Sequence, residues 1–320
     1  MFLISCCVLV LQSAVSSPLV APVPQPPVET IRVASYNVLN LFDGHDDPLI
    51  SGDVDDLPME TTEGRCKSLA AAIRSVDADV LALQEVESEE ALRAFRDTYL
   101  ADMGYDHVVS IDVGYFRGVE NSVLSRFPLS NASAPPQIPI DDVVRNGGGW
   151  AKPVEGDTTT TFQRTPLRVD VTAPGGYLMT LFVVHHKSGN YKHRRESEAL
   201  RLVQLVDDVR EEAPARNIIL LGDFNAAPWD RSMDVYRDAG FIDVFADPAV
   251  ERTKTHESNR ILDFILMNSA AHRELVAGSQ KVHSTTAPPD SYDWRTDPRP
   301  DECPSDHRPI SIDVVVGDQR

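Results

Sequence analysis

Several short apolar runs in this chain border directly on polar residues, and this pattern restricts the fold more than any other feature. Ala78–Leu83 runs into Gln84-Glu85, and Tyr177–Val184 into His185-His186. Asn217–Leu221 runs into Gly222-Asp223-Phe224-Asn225, and Ile310–Val316 follows directly on Ser305-Asp306-His307-Arg308-Pro309. Runs this short and this apolar suit strands covered on both faces. A carboxylate, amide or imidazole at the mouth of such a strand lies at the rim of a sheet, where a rigid scaffold can aim it.

The remaining segments say how the strands are joined. Thr30–Tyr36 alternates like a strand and leads into Asn37. Val119–Arg126 reads as a strand closed by Phe127-Pro128. Phe162–Val171 reads as another, with Tyr177–Val184 as its hairpin partner across Pro174-Gly175-Gly176. Arg260–Met267 is a strand with Asp263 embedded in it. A buried aspartate must be paired or hydrogen-bonded, and a histidine is a natural partner. Helical spacing marks Arg65–Val76 and Lys192–Val209, and Ser88 caps a helix running to about Met103. Hairpins and helices alternate without a strict strand-helix repeat. That argues for two packed sheets flanked by helices and against a doubly wound parallel sheet.

Charge and termini bound the chemistry. The chain has 320 residues and a formal net charge of -19, so it repels polyanions unless cations intervene. An acidic protein acting on phosphates therefore calls for a divalent metal. Residues 1–17 are apolar and end in small residues. They read as a signal peptide without a basic start, with an exported protein as the expectation. The proline-rich residues 18–29 read as an extended tether, leaving 30–317 as one domain. After the signal two cysteines remain, Cys66 and Cys303, either as a disulfide or as two free thiols. Asp43 to Asp56 reads as a solvated acidic loop with calcium binding as the alternative. Residues 134–161 and 283–304 read as irregular loops.

Taken in order, the polar positions are Asn37, Glu85, Arg164, His185, Asp223, Asn225, Asp263, Asp306 and His307. They stand in SYNVLNL, LALQEVE, FQRTPLRV, VVHHKSG, LLGDFNAAP, RILDFILMN and PSDHRPI. The set resembles the DNase I-like endonuclease/exonuclease/phosphatase superfamily over residues 30–317. The resemblance implies a four-layer α/β sandwich of two mainly antiparallel sheets, with a metal-dependent phosphoester-hydrolysing site at one rim. It implies Asn37, Glu85 and Asp306 at a metal, Glu85 as a direct ligand, and Mg²⁺ as the ion ahead of Mn²⁺ or Ca²⁺. It implies that Asp223 orients or deprotonates the attacking water, and that Asn225 and His185 contact the phosphate. His307 is implied as the general acid or base oriented by Asp263, and Arg164 as a contact to substrate phosphate.

Two positions depart from the family's pattern. His186 follows His185 where an apolar residue is usual. The carboxylate that pairs with this histidine in nuclease members has no clear counterpart, Glu120 being the nearest. The expected activity is phosphodiester hydrolysis by in-line attack of water, on DNA or RNA, by a monomer without a stable protein partner. A phosphatase or sphingomyelin-like lipid phosphodiesterase is the alternative, and a secreted non-catalytic binding module is the third reading.

Overall fold

The computed structural model describes residues 29–48, 50, 56–140, 161–247 and 253–317. The signal-like and proline-rich segments, Asp53, Asp55 and most of the 134–161 loop lie outside the described residues.

Twelve strands form two six-stranded sheets. The first sheet contains β1 (Thr30–Leu41), β2 (Val80–Val86), β3 (His107–Ser110), β4 (Glu120–Ser125), β11 (Lys281–Val282) and β12 (Ile310–Val315), in the order β11-β12-β1-β2-β4-β3. The second contains β5 (Leu129–Ser133), β6 (Leu167–Ala173), β7 (Tyr177–His185), β8 (Asn217–Asp223), β9 (Ile242–Asp243) and β10 (Asp263–Met267), in the order β5-β6-β7-β8-β10-β9. Each sheet has one parallel pair, β1 with β2 and β7 with β8, and its other pairs are antiparallel.

Strand alternation explains the four layers. Ile31, Val33, Val80, Ala82, Leu181, Val183, Ile219, Leu221, Ile265 and Ile312 share one core between the sheets. Their sequence neighbours point the other way. Ala34, Tyr36, Leu81 and Leu83 pack under α1 (Glu63–Val76) and α2 (Glu89–Tyr99), with Leu69, Ile73, Leu92 and Phe95. Phe182, Val184, Ile218, Leu220 and Phe264 pack under α3 (Lys192–Glu212) and α4 (Arg231–Asp238), with Leu202, Val206 and Tyr236. A last short helix, α5 (Ser269–His272), follows β10. Covering both faces of both sheets is why the central strands read as unbroken apolar runs.

Some expectations change. Phe162 to Pro166 is not strand; β6 begins at Leu167, and β10 begins at Asp263 rather than Arg260. Pro166 cannot donate a ladder hydrogen bond, which accounts for the first shift. The loop before β10 doubles back instead, with Leu262 N and Asp263 N donating to Thr255 Oγ1. Cys66 and Cys303 are both buried and both free thiols. The two regions are joined without a disulfide: Arg65 Nε donates to Pro304 O at 3.0 Å, and Thr62 Oγ1 to Asp301 Oδ1 at 2.5 Å.

Candidate active site

One end of the sandwich collects the polar residues. The parallel pairs bring up Asn37 and Glu85 from the first sheet, and His185 and Asp223 from the second. Strands running the other way start at the same end, so Asp263 lies directly across from Asp223, and His307 enters just before β12. The apolar runs thus deliver their polar ends to one place because of strand direction.

Backbone irregularities aim several of these groups. The β1–β2 register shifts between Asn37 and Leu41, and the β2–β4 register shifts between Gln84 and Val86. Glu85 sits in the second shift with φ of 66°, and Leu39 and Asn40 in the first with 55° and 57°. Asn225 has φ of 48°. Bulges re-aim side chains beside sites, and left-handed non-glycine residues persist only where surroundings hold them. Arg65 supplies that hold on β1. Its guanidinium donates to the carbonyls of Val38, Leu39 and Asn40.

Asp223 is the hub. Its Oδ2 accepts from Asn225 Nδ2 at 3.0 Å and Asn37 Nδ2 at 3.3 Å, and its Oδ1 accepts from Asn225 N at 2.8 Å. His185 Nε2 lies 3.5 Å and His307 Nε2 3.6 Å from the same Oδ2. Asn37 Nδ2 also reaches Glu85 Oε1 at 3.4 Å, and His185 Nε2 lies 3.6 Å from that oxygen. The two sheets therefore meet through Asn37, which acts here as a donor to both carboxylates while its Oδ1 accepts from Leu39 N. His307 Nδ1 is 2.9 Å from Asp263 Oδ2, so its partner is Asp263, forty-four residues back in the chain, and not the adjacent Asp306.

The electrostatics follow from this packing. Burial alone pushes His307 down, but Asp263, Asp223 and Asp306 outweigh it and hold the imidazolium well above its ordinary pKa. His185 goes the other way: burial, then the fields of Arg164, His307, Arg117 and His186, keep it neutral. Burial raises Asp223, aided by Asp263 and Glu85 and opposed by His307 and Asn225 N. Burial would raise Asp306 too, but the hydrogen bond from His256 and the charges of His307, His256 and Arg299 hold it far below the usual carboxylate range. Two imidazoles a short distance apart thus carry opposite protonation states, a division that acid–base chemistry can use.

Other predicted positions resolve differently. Arg164 is 3% exposed; its Nε and Nη2 donate to His185 O and His186 O at 3.2 and 2.7 Å, and it stacks 5.1 Å from the Tyr115 ring. Its field reaches His185, while two of its nitrogens are committed to the backbone and Nη1 lies 3.4 Å from the Tyr115 hydroxyl. His186 points to the opposite face of β7, between Glu198 Oε2 at 3.2 Å and Tyr236 Oη at 2.6 Å. Glu120 does not serve His185, whose Nδ1 is buried without a partner. Glu120 is buried, and burial with the Asp112 charge raises it to about 8. Arg195, at the basic start of α3, is turned inward onto the carbonyls of Lys187 and Gly189.

His256 is the functional-site neighbour that the sequence did not disclose. Its Nε2 contacts Asp306 Oδ2 at 3.2 Å, its ring meets His307 edge-on at 4.6 Å, and its backbone bridges to His307. It stands in a polar loop with no periodic or motif signal. Among the described residues, two groups offer ligand atoms within 4.8 Å of one another: His256, Asp306 and His307, and Asp223, Asp263 and His307.

Comparisons with known proteins accord with this layout. The chain matches the model of the Endonuclease/Exonuclease/phosphatase family over residues 34–307. Among curated proteins none matches. Similar solved structures include an endonuclease/exonuclease/phosphatase family protein from Bacteroides thetaiotaomicron (17% identity, TM-score 0.61, covering 91% of this chain and 97% of that one). The catalytic domain of human Nocturnin, with a bound sulfate anion, is similar at 17% identity and TM-score 0.59, covering 89% and 92%. Truncated TDP2 from Caenorhabditis elegans is similar at 16% and 0.54, covering 89% and 98%. At these identities the likeness is one of fold.

Proposed function

Because the chain belongs to the endonuclease/exonuclease/phosphatase family, whose members hydrolyse phosphoesters, we propose that it is a divalent-metal-dependent phosphodiesterase acting on nucleic acid. The observation that carries this reading is the hub at Asp223, where two amides and two imidazoles of opposite protonation surround one buried carboxylate.

The donor set fits a hard divalent cation. Glu85 and Asp306 are carboxylates, and Asp306 Oδ1 is buried without any hydrogen-bond partner, an oxygen that a cation would satisfy. Glu85 and Asp306 would hold the ion, with Asn37 beside them. Bound there, it supplies charge that offsets the phosphate and the developing leaving oxygen. The chain's own groups do the rest. Asp223, with its Oδ2 exposed to several donors, orients a water and takes its proton. Asn225 Nδ2 and the neutral His185 Nε2–H donate to non-bridging oxygens whose charge grows in the transition state. His307, held protonated and oriented by Asp263, stands ready to release a proton at its Nε2. The apolar residues 1–17 favour an exported enzyme.

A lipid phosphodiester is the second reading. Trp229, at 78% exposed, follows Asn225 on the loop after β8 and could enter a bilayer surface. One panel separates the two: plasmid DNA, RNA, bis-p-nitrophenyl phosphate and sphingomyelin, each with Mg²⁺ or with EDTA. Cleavage of nucleic acid and of the small diester is expected with Mg²⁺, with no release from sphingomyelin and none in EDTA. Turnover that survives EDTA, or turnover of sphingomyelin alone, would sink the proposal.

A further inference from the structure

Beside Asp306 lies a cleft of about 950 Å³ that none of the proposed catalytic steps uses. Its floor includes Asp306 and His256, and its outer wall is built from the irregular stretch that follows β11, with Pro288, Tyr292 and Trp294. The volume is in the range of small-molecule sites and admits one nucleotide with solvent.

Two of the arginines in this cleft are already committed. Arg65 is spent on backbone carbonyls, and Arg299 is paired with Glu257 at 2.6 Å. The other two are not. Arg260 makes a bond to Ser258 Oγ at 2.7 Å and Arg308 one to Lys254 O at 3.2 Å, and among the described residues neither has a carboxylate partner. In a chain of net charge -19, two guanidiniums without an ion-pair partner in the cleft that holds Asp306 are a specific arrangement. Trp294 stands 72% exposed, with the guanidinium of Arg295 4.9 Å from its ring centroid. An exposed indole that shares a cleft with guanidiniums lacking ion-pair partners is the combination that single-stranded nucleic acid uses: stacking for the base, charge for the backbone. The two cations weigh against a quaternary ammonium head group. They favour a substrate that carries a second phosphate one unit from the first, which a polynucleotide has and a phospholipid diester lacks.

We propose that this cleft binds the nucleotide unit next to the scissile phosphate, its flanking phosphate on Arg260 and Arg308 and its base against Trp294 and Tyr292. The assignment rests on the phosphodiesterase reading for its place in a reaction, but the binding itself does not need turnover. Asp290, also in the lining, supplies an acceptor for a base amino group or sugar hydroxyl.

Titration calorimetry of the full chain in EDTA, which keeps phosphate off any catalytic metal, tests it with adenosine monophosphate, inorganic phosphate and phosphocholine as probes. Adenosine monophosphate is expected to bind at least about tenfold more tightly than either of the others. Arg260→Ala and Trp294→Ala are each expected to weaken it roughly tenfold. Trp229→Ala, which removes an exposed indole outside the cleft, should leave it unchanged. All three side chains are exposed, so unchanged melting temperatures are expected and confirm that the fold is intact. Binding no tighter than inorganic phosphate, a preference for phosphocholine, or wild-type affinity in both cleft variants overturns the proposal. If no diester is hydrolysed yet these affinities hold, the catalytic reading fails and the cleft stands; hydrolysis without them gives the reverse.

Discussion

Replacing His307 with alanine is expected to lower kcat for phosphodiester cleavage by roughly a thousandfold, the usual scale of a positioned acid–base group. His307 is the only imidazole among the described residues that touches both a buried orienting carboxylate and the Asp223 hub. The Asp263 contact at 2.9 Å fixes the ring through Nδ1, which leaves Nε2 aimed into the site. Alanine removes the proton carrier and also leaves Asp263 buried without its partner, so some loss of stability accompanies the loss of rate. The two effects are separable, because kcat per folded molecule is read after the folded fraction is measured by circular dichroism. A variant that is folded and retains more than about a tenth of the wild-type kcat would remove His307 from the chemistry.

The second large effect is structural. Gly222→Ala is expected to destabilise the chain by at least about 4 kcal/mol, a large part of the roughly 5–15 kcal/mol that holds a typical domain together. Gly222 has φ of 143°, and a Cβ there would sit 2.0 Å from Val184 O and 2.9 Å from Val184 C and N. These are backbone atoms of the neighbouring parallel strand, paired in register with Gly222, so no side-chain rotation relieves the clash. Relief requires β7 and β8 to separate where they present His185 and Asp223. Chemical denaturation should therefore show a lower midpoint or no cooperative transition. A variant with wild-type stability would contradict the close approach of these strands.

The glycine shows how much of this molecule was legible in its sequence. The LLGDFN segment announced a buried strand with two polar groups at its mouth, because strands covered on both faces are apolar throughout and the change to polar residues is abrupt. The same reasoning located Glu85, His185 and His307. Two sheets rather than one followed from hairpins mixed with helices. The partnership of Asp263 with His307 was foreseeable in kind, since a carboxylate inside an apolar strand needs a partner.

What was not legible depended on distant segments or on backbone conformation. Nothing local marks Glu85 as a left-handed residue in a bulge, or Asn37 as the donor that links two carboxylates. Arg164 stands in a motif that suggested a phosphate contact, and nothing local shows that its Nε and Nη2 reach the carbonyls of His185 and His186. His256 carries no pattern at all, and reaches Asp306 only because the loop before β10 folds back. Arg65 looked like the ordinary start of a helix, yet it holds three successive carbonyls of the β1 bulge. In each case the deciding partner lies far away in the chain.

The account turns on Asp223 as the group that activates water, and Asp223→Asn tests this most directly. Asparagine keeps the size of the side chain and its place among Asn37, Asn225, His185 and His307, but cannot take a proton. The measurement is the initial rate of p-nitrophenolate release from bis-p-nitrophenyl phosphate with Mg²⁺, wild type against variant, at matched folded concentration. The account predicts active wild-type enzyme and a loss of roughly a hundredfold or more in the variant. A folded Asp223→Asn protein that releases p-nitrophenolate at the wild-type rate would contradict it.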